Sequence, residues 1–305
     1  MSKLFDVYIG IDYSGADKPD APIKGLAVAV ADGAEECRLL SAQVVNKAKG
    51  QAVSSTVPNT QVSQTVSRSD ASSSSSKRDS KMPSSKSGLW SRRSIYEWLR
   101  RELLHSNKRM IIGLDYGLSY PHSQLERLQL QNWDEFLQWS YTTWKTDRLT
   151  MKQSKEQVDY INSTDKRLVE REFIPSTKSV TDLDRVSGMQ GAVSYSTHTG
   201  LPWIYRLRRW QKRGMKVHFW PYDGLHMPAD HHVITEAYPS LYRRRMMKEH
   251  WSAEWSEHER DAMYIARWMQ SRDLEQTLAP YLALPTLSEQ EKQLILREGW
   301  VLGCL

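Results

Sequence analysis

Short apolar runs alternate with polar turns along this 305-residue chain, and their periods predict its elements. Val7-Tyr-Ile-Gly-Ile-Asp12 and Gly25-Leu-Ala-Val-Ala-Val30 read as two strands. The turn chemistry between Ser14 and Lys24 joins them as a β-hairpin. Asp32-Gly33 marks a tight turn, and residues 36–45 predict a third antiparallel strand. From Arg92 the period changes. Ile95, Trp98, Leu99 and Leu103 recur at helical spacing, with an end near residues 105–107. The strand 110–115 follows, and a strand–helix–strand crossover requires parallel pairing.

Residues 121–144 read as one helix, with Leu125, Leu128, Trp133, Phe136, Leu137 and Trp144 on its apolar face. Residues 145–174 are strongly charged and predict a solvent-facing helical excursion. Gly188, Gly191 and Gly200 bracket Ser194-Tyr-Ser-Thr-His198, which reads as a polar loop. A helix over 202–212, a strand over 216–220 and a turn at Pro221-Tyr-Asp-Gly224 come next. The strand 233–236 then leads to Pro239 and a basic helix start at 241–247. The last helices are expected over 257–272 and 288–298, the second opened by a Ser288/Glu291 capping box.

Residues 48–91 break this pattern. Large apolar residues are almost absent there, and a pure serine run at 72–76 is flanked by Lys77, Arg78, Lys81 and Lys86. Such a segment cannot bury enough surface to offset its ordering entropy, so a disordered Ser/Lys-rich insertion is expected. The rest is read as a single domain over 1–305, with a mostly helical insertion at 121–215.

Composition narrows the classes. No apolar stretch approaches the roughly 20 residues needed to span a bilayer, and the N-terminus lacks a secretory signal pattern. The two cysteines, Cys37 and Cys304, have no metal-type spacing. A reduced, cytoplasmic protein without a membrane partner is expected. A net charge of +6 favours an anionic partner. The 12 tryptophans suit cores between helices, with a minority available to stack on bases.

Chemistry is concentrated in four acids. Asp12, Asp115 and Glu236 each end an apolar strand run, and Asp261 opens a helical one, Asp261-Ala-Met-Tyr-Ile-Ala-Arg-Trp268. Strand ends are rigid, so acids there converge with little freedom to lose. Converging carboxylates repel one another, a cost that a divalent cation offsets. Hard oxygen ligands suit Mg2+ or Mn2+ rather than zinc. The same segments can also be explained as strand ends and helix caps.

An antiparallel hairpin sheet, a helix, a parallel strand ending in an acid and a late helical acid follow the order of the RNase H-like fold. More finely, the chain resembles domain-of-unknown-function family 429, the predicted RNase H-like nucleases. The matching pieces are Ile9-Gly-Ile-Asp12 with Lys24-Gly-Leu-Ala-Val28, Ile112-Gly-Leu-Asp115-Tyr-Gly-Leu-Ser-Tyr-Pro121 and Gly191 to Pro202. Trp220-Pro-Tyr-Asp223, Thr235-Glu-Ala-Tyr-Pro-Ser240 and Glu259-Arg-Asp-Ala262 complete the set. The resemblance implies an α/β fold: a mixed sheet of antiparallel hairpin strands plus parallel strands, flanked by helices, with an acidic metal site. One departure stands out. Related enzymes often carry a second carboxylate further along the last helix, whereas Asp261 is followed by Ala262, Met263 and Tyr264.

The expected chemistry is two-metal phosphodiester hydrolysis, with ions about 3.5–4 Å apart. Asp12 would bridge them, Asp115 and Asp261 would each bind one, and Glu236 would complete the set or hold a ligated water. Nucleic acid is the expected partner. Arg206, Arg208, Arg209, Lys212 and Arg213, with Trp210 interleaved, and Arg243 to Arg245 could track its phosphates. A solvated helix face explains both runs as well. Ser14 and Gly15 could meet a phosphate or simply form the hairpin turn. His198 could shuttle protons or lie on the surface. His226, His231 and His232 lack the spacing of a metal cluster and read as a solvated loop. Two other classes fit parts of the chain. One is a non-catalytic nucleic-acid-binding or scaffolding protein on an RNase H-like frame. The other is an actin-like small-molecule kinase, which shares the Gly-Ile-Asp and Ser-Gly of the first strand and turn. It would need a late glycine-rich loop, and after Gly224 only Gly299 and Gly303 remain.

Overall fold

The computed structural model describes residues 3–43, 88–183, 193–246 and 254–305. They form an α/β structure on a mixed six-stranded sheet of order β3-β2-β1-β4-β6-β5. The strands are β1 Val7–Asp12, β2 Ala27–Asp32, β3 Arg38–Leu39, β4 Met110–Leu114, β5 Val217–Phe219 and β6 His232–Glu236. The hairpin strands pair antiparallel, while β1–β4, β4–β6 and β6–β5 are parallel. Every residue of β1 and β4 is buried, as expected of central strands covered on both faces.

Period-2 alternation divides the core. Ile9, Ile11, Ile112 and Leu114 face one layer, built mainly from α1 Arg92–His105, α3 Trp133–Trp144 and α6 Val193–Gln211. Tyr8, Ala27, Ala29 and Ile111 face the other, dominated by α8 Glu257–Leu274. That second face is lined with small residues for a reason. A Cβ on Gly10 would lie 2.1 Å from the Ala262 carbonyl oxygen, and one on Gly113 would lie 2.5 Å from Ile265 Cγ2. Helix α8 therefore rests directly on the backbones of β1 and β4, a close approach that only glycine permits.

The remaining helices are α2 His122–Arg127, α4 Met151–Lys155, α5 Leu168–Glu172, α7 Pro239–Arg245, α9 Ala279–Ala283 and α10 Glu289–Glu298. Helix α1 starts at Ser91, which caps it in a box with Ser94, and buries Ile95, Trp98, Leu99 and Leu103.

Several expectations are corrected. The single helix over 121–144 is two, α2 and α3, separated by Gln129 at φ 57° and the capping Asn132. The stretch 145–174 is not solvent-facing. Met151, Leu168, Val169 and Ile174 are buried there, together with the charged Arg167 and Glu170. A buried ion pair has the same residue composition as a solvated face. The polar run from Ser194 to His198 is helix rather than loop, because its hydroxyls find acceptors within reach. Thr199 Oγ1 donates to the Tyr195 carbonyl at 2.8 Å, and Ser194 Oγ to the Asp182 carbonyl at 2.8 Å. Strand β3 spans two residues rather than ten. Of the proposed insertion, residues 48–87 lie outside the described residues, as do Gly188, Gly191 and Met247. Its last residues are ordered, with Trp90 buried and Ser91 capping α1. No helix among the described residues is long and apolar enough to cross a membrane.

The glycine contact generates a prediction. Gly10→Ala is expected to destabilise the protein by about 1–3 kcal/mol or more, because a backbone carbonyl cannot yield to the new methyl group. Gly88→Ala, whose Cβ would meet only Ser41 Oγ at 3.4 Å, is expected to stay within about 0.5 kcal/mol. Urea denaturation of both variants checks this.

Candidate active site

Strands β1, β4 and β6 are parallel neighbours, so their C-terminal ends, with Asp12, Asp115 and Glu236, lie at one edge of the sheet. Ile11 pairs with Leu114, which sets Asp12 beside Asp115, and the Asp115 amide extends the ladder to the Ile11 carbonyl at 3.0 Å. Both acids follow the alternation of Tyr8 and Ile111 and face α8. The two side chains are within hydrogen-bonding reach of each other. Desolvation first, then the charge and hydrogen-bonding reach of Asp12, raise the Asp115 pKa well above the usual carboxylate range. Asp261 and Glu236 add smaller upward contributions.

Helix α8 completes the cleft. It begins at Glu257, capped by Ser256, so Asp261 lies a turn inside it rather than at its start. His258, three residues earlier, shares the face of Asp261. Its Nδ1 lies 2.7 Å from Asp12 Oδ2, and this hydrogen bond raises the imidazole pKa against the opposing effect of partial burial. Asp261 Oδ1 accepts from Arg243 Nη2 of α7 at 2.5 Å. Burial raises the Asp261 pKa, and Arg243 partly offsets that rise. Asp261 thus has a cationic partner and Asp12 a basic one, while Asp115 has neither among the described residues.

Glu236 is placed differently. It pairs in register with Leu114 rather than with Asp115, so alternation directs it to the opposite face. There Arg167 of the α5 N-terminus grips it with a fork, Nη1 to Oε2 at 2.7 Å and Nη2 to Oε1 at 2.5 Å. The Leu118 amide donates to Oε2 at 3.1 Å, and Arg167 also holds Glu170 at 2.6 Å. Burial keeps the Glu236 pKa raised despite the guanidinium. Among the described residues, no group of three or more His, Cys, Asp or Glu side chains is arranged to hold a metal ion. Arg243 on Asp261 and the turned Glu236 account for that. Asp12 and Asp115 remain as a contiguous pair of hard oxygen donors.

Half of the basic residues expected at phosphates are already neutralised. Arg206 pairs with Asp147 at 2.5 Å, Arg208 with Asp134 at 2.8 Å and with Asp223, and Lys212 with Asp134 at 3.2 Å. Arg243 serves Asp261. Arg209, Arg213 and Arg244 are exposed and carry no ion pair among the described residues. His198 is neither shuttle nor surface residue. It is fully buried, its Nδ1 donates to the Ser194 carbonyl at 2.5 Å and its Nε2 faces the Tyr120 hydroxyl. Burial lowers its pKa to about 3, so it is a neutral core histidine. His226, His231 and His232 do not converge: His232 Nδ1 accepts from the Met110 amide at 3.2 Å, and His231 contacts Asp230 at 2.8 Å.

Four residues of this region were missed by sequence reasoning. His258 was legible as the i−3 neighbour of Asp261. Arg167 and Glu170 had only their own spacing as a signal. Arg92 had none. It is fully buried and donates to the Ala16 carbonyl and, at 2.9 Å, to that of Asp17, fixing the loop that follows Asp12. Ser14 Oγ accepts from the Ala16 amide at 3.3 Å, the contact of an ordinary turn. Comparison with known proteins finds no matching family model, no similar curated protein and no similar solved structure.

Two predictions follow from the electrostatics. Folded Asp115 binds its proton more tightly than the unfolded residue, whose pKa is about 3.9. Native stability is therefore lost as pH rises from that value through the folded one. Asp115→Asn is expected to be more stable than wild type at neutral pH without divalent cations, with the gap closing towards about pH 4. Urea denaturation across pH in EDTA measures this. Arg167→Met would leave two buried carboxylates facing each other, an expected loss of about 3–5 kcal/mol. Adding Glu170→Gln and Glu236→Gln is expected to recover part of it in the same assay.

Proposed function

We propose that this chain is a metal-dependent nuclease of RNase H-like architecture that hydrolyses phosphodiester bonds at the cleft between Asp12, Asp115 and Asp261. The observation that carries the reading is the placement of Asp12 and Asp115 side by side at the ends of two adjacent parallel strands. Supporting it is the strand order, in which an antiparallel hairpin leads through α1 to a parallel strand ending in an acid, with a late acid on α8. In open α/β sheets, ligands bind outside the carboxyl ends of the strands, where this pair lies. The resemblance to domain-of-unknown-function family 429 points the same way.

The donor set fits one Mg2+ or Mn2+ ion. Asp12 and Asp115 offer hard oxygens side by side, and their repulsion lacks a cation at Asp115 among the described residues. Asp261 joins them only by giving up Arg243. Glu236 fits no cation as placed, since Arg167 and the Leu118 amide occupy its oxygens. When bound, the ion would polarise a phosphoryl oxygen and lower the pKa of its water. The chain's own groups orient the substrate. His258 Nδ1 is committed to Asp12, which leaves Nε2 to hydrogen-bond a substrate oxygen. Arg243, freed from Asp261, would meet the phosphate it borders.

The test is cleavage of labelled single-stranded, duplex and branched DNA, RNA and RNA–DNA hybrid with Mn2+ or Mg2+. Asp12→Asn and Asp115→Asn are each expected to lower the rate at least about a hundredfold. Independently of activity, Mn2+ at 100 times its Kd is expected to stabilise wild type by about 2.7 kcal/mol and to leave Asp115→Asn unmoved. No cleavage of any substrate and no Mn2+ stabilisation would overturn the proposal.

A further inference from the structure

On the face of the sheet opposite α8, helices α1 and α6 border a cavity of about 420 Å³. Arg93, Arg100, Arg206 and Trp210 line it, and one arrangement occurs twice around it. Trp203 lies between Arg93 and Arg206, each guanidinium 5.5 Å from the ring centroid. Seven residues further along both helices, Trp210 lies between Arg100 at 5.0 Å and Arg213 at 5.6 Å. The two helices therefore run side by side in the same sense, and the units are about 10 Å apart at 1.5 Å per residue.

The two units differ in charge. At the first, Asp20 pairs with Arg93 and Asp147 with Arg206. At the second, Arg100 and Arg213 have no ion pair among the described residues, and the neighbouring Arg209 has none either. Two acids temper this end: Glu97 on the cavity wall, and Glu102, which lies 3.6 Å from Arg101. The tryptophan faces are already covered by guanidinium groups, so they are not platforms for bases. Their effect is to hold the guanidinium planes in place, which lowers the ordering cost of forming charge-assisted hydrogen bonds at the free edges.

We infer that this cavity, with Arg213 adjoining it at Trp210, binds the phosphate backbone of a nucleic-acid strand, and that Arg100 and Arg213 are the principal contacts. Three guanidinium groups without an ion pair among the described residues, Arg100, Arg209 and Arg213, gather at the second unit, more positive charge than a single phosphate neutralises, whereas a strand presents successive phosphates. The inference rests on the reading that nucleic acid is the substrate. It names the surface that holds the strand, and that surface is separate from the carboxylate cleft. Arg92, next to Arg93 on α1, pins the loop after Asp12, so the Arg93 end of the cavity lies beside that loop.

The experiment is fluorescence anisotropy of a labelled 20-nucleotide oligothymidine, in EDTA so that no cleavage occurs. Proteins are wild type, Arg100→Ala/Arg213→Ala, Arg100→Gln/Arg213→Gln and the distant surface control Lys292→Gln on α10. Thermal melts show whether each variant is folded. Both arginine double variants are expected to raise Kd about tenfold or more and to flatten the dependence of log Kd on log salt by roughly one, since each phosphate contributes about 0.7 on single strands. Lys292→Gln should bind as wild type. Folded double variants with wild-type affinity and salt slope would overturn the inference, even if wild type cleaves in Mn2+. Binding lost with the arginines in a protein that cleaves nothing would uphold the cavity and sink the nuclease reading alone.

Discussion

Everything at the candidate site depends on how closely α8 lies on the sheet. Gly10 and Gly113 remove the side chains that would hold the helix away, and the alanines of β2 continue the shallow surface. With the helix seated on bare backbone, His258 and Asp261 reach the strand ends where Asp12 and Asp115 stand. The same contact buries Ala262, Ile265, Ala266 and Met269. Packing and site geometry are therefore one constraint: a methyl group added under the helix would disturb both.

The second theme is charge compensation in two separate buried settings. On the α8 face, three carboxylates share a cleft with His258 and Arg243, and burial beside Asp12 raises the Asp115 pKa well above the usual carboxylate range. On the other face, Arg167 holds Glu170 and Glu236 in a network with good fork geometry. A network of this second kind is costly to desolvate and is kept only when its geometry satisfies all its members. The first is unfinished by comparison, which is the electrostatic condition expected of a place where charge is meant to bind.

Basic residues show the same lesson from the opposite side. Arg206, Arg208 and Lys212 looked like a phosphate-tracking helix face, yet Asp134, Asp147 and Asp223 from distant segments neutralise them. The charge that remains available, on Arg100, Arg209 and Arg213, lies where two helices meet around Trp210. Counting basic residues along one helix could not separate these groups, because their partners come from other elements.

Local pattern alone determined much of this protein. The period-2 apolar runs located the central strands, with β1 and the extent of α1 matching closely, since continuous burial and helical spacing are written in neighbouring residues. The repeated Ile-Gly-x-Asp form was legible too, and it marked both the helix seat and the paired acids. Tertiary structure alone decided the rest. A register offset of one residue sent Glu236 to the opposite face, and no spacing within a strand encodes its alignment with the next. Arg167, Arg92 and His198 read as solvated, unremarkable or surface residues. Their burial depends on partners about 70 residues away or more, or on a fold around them, and a polar side chain has the same identity whether water or protein satisfies it.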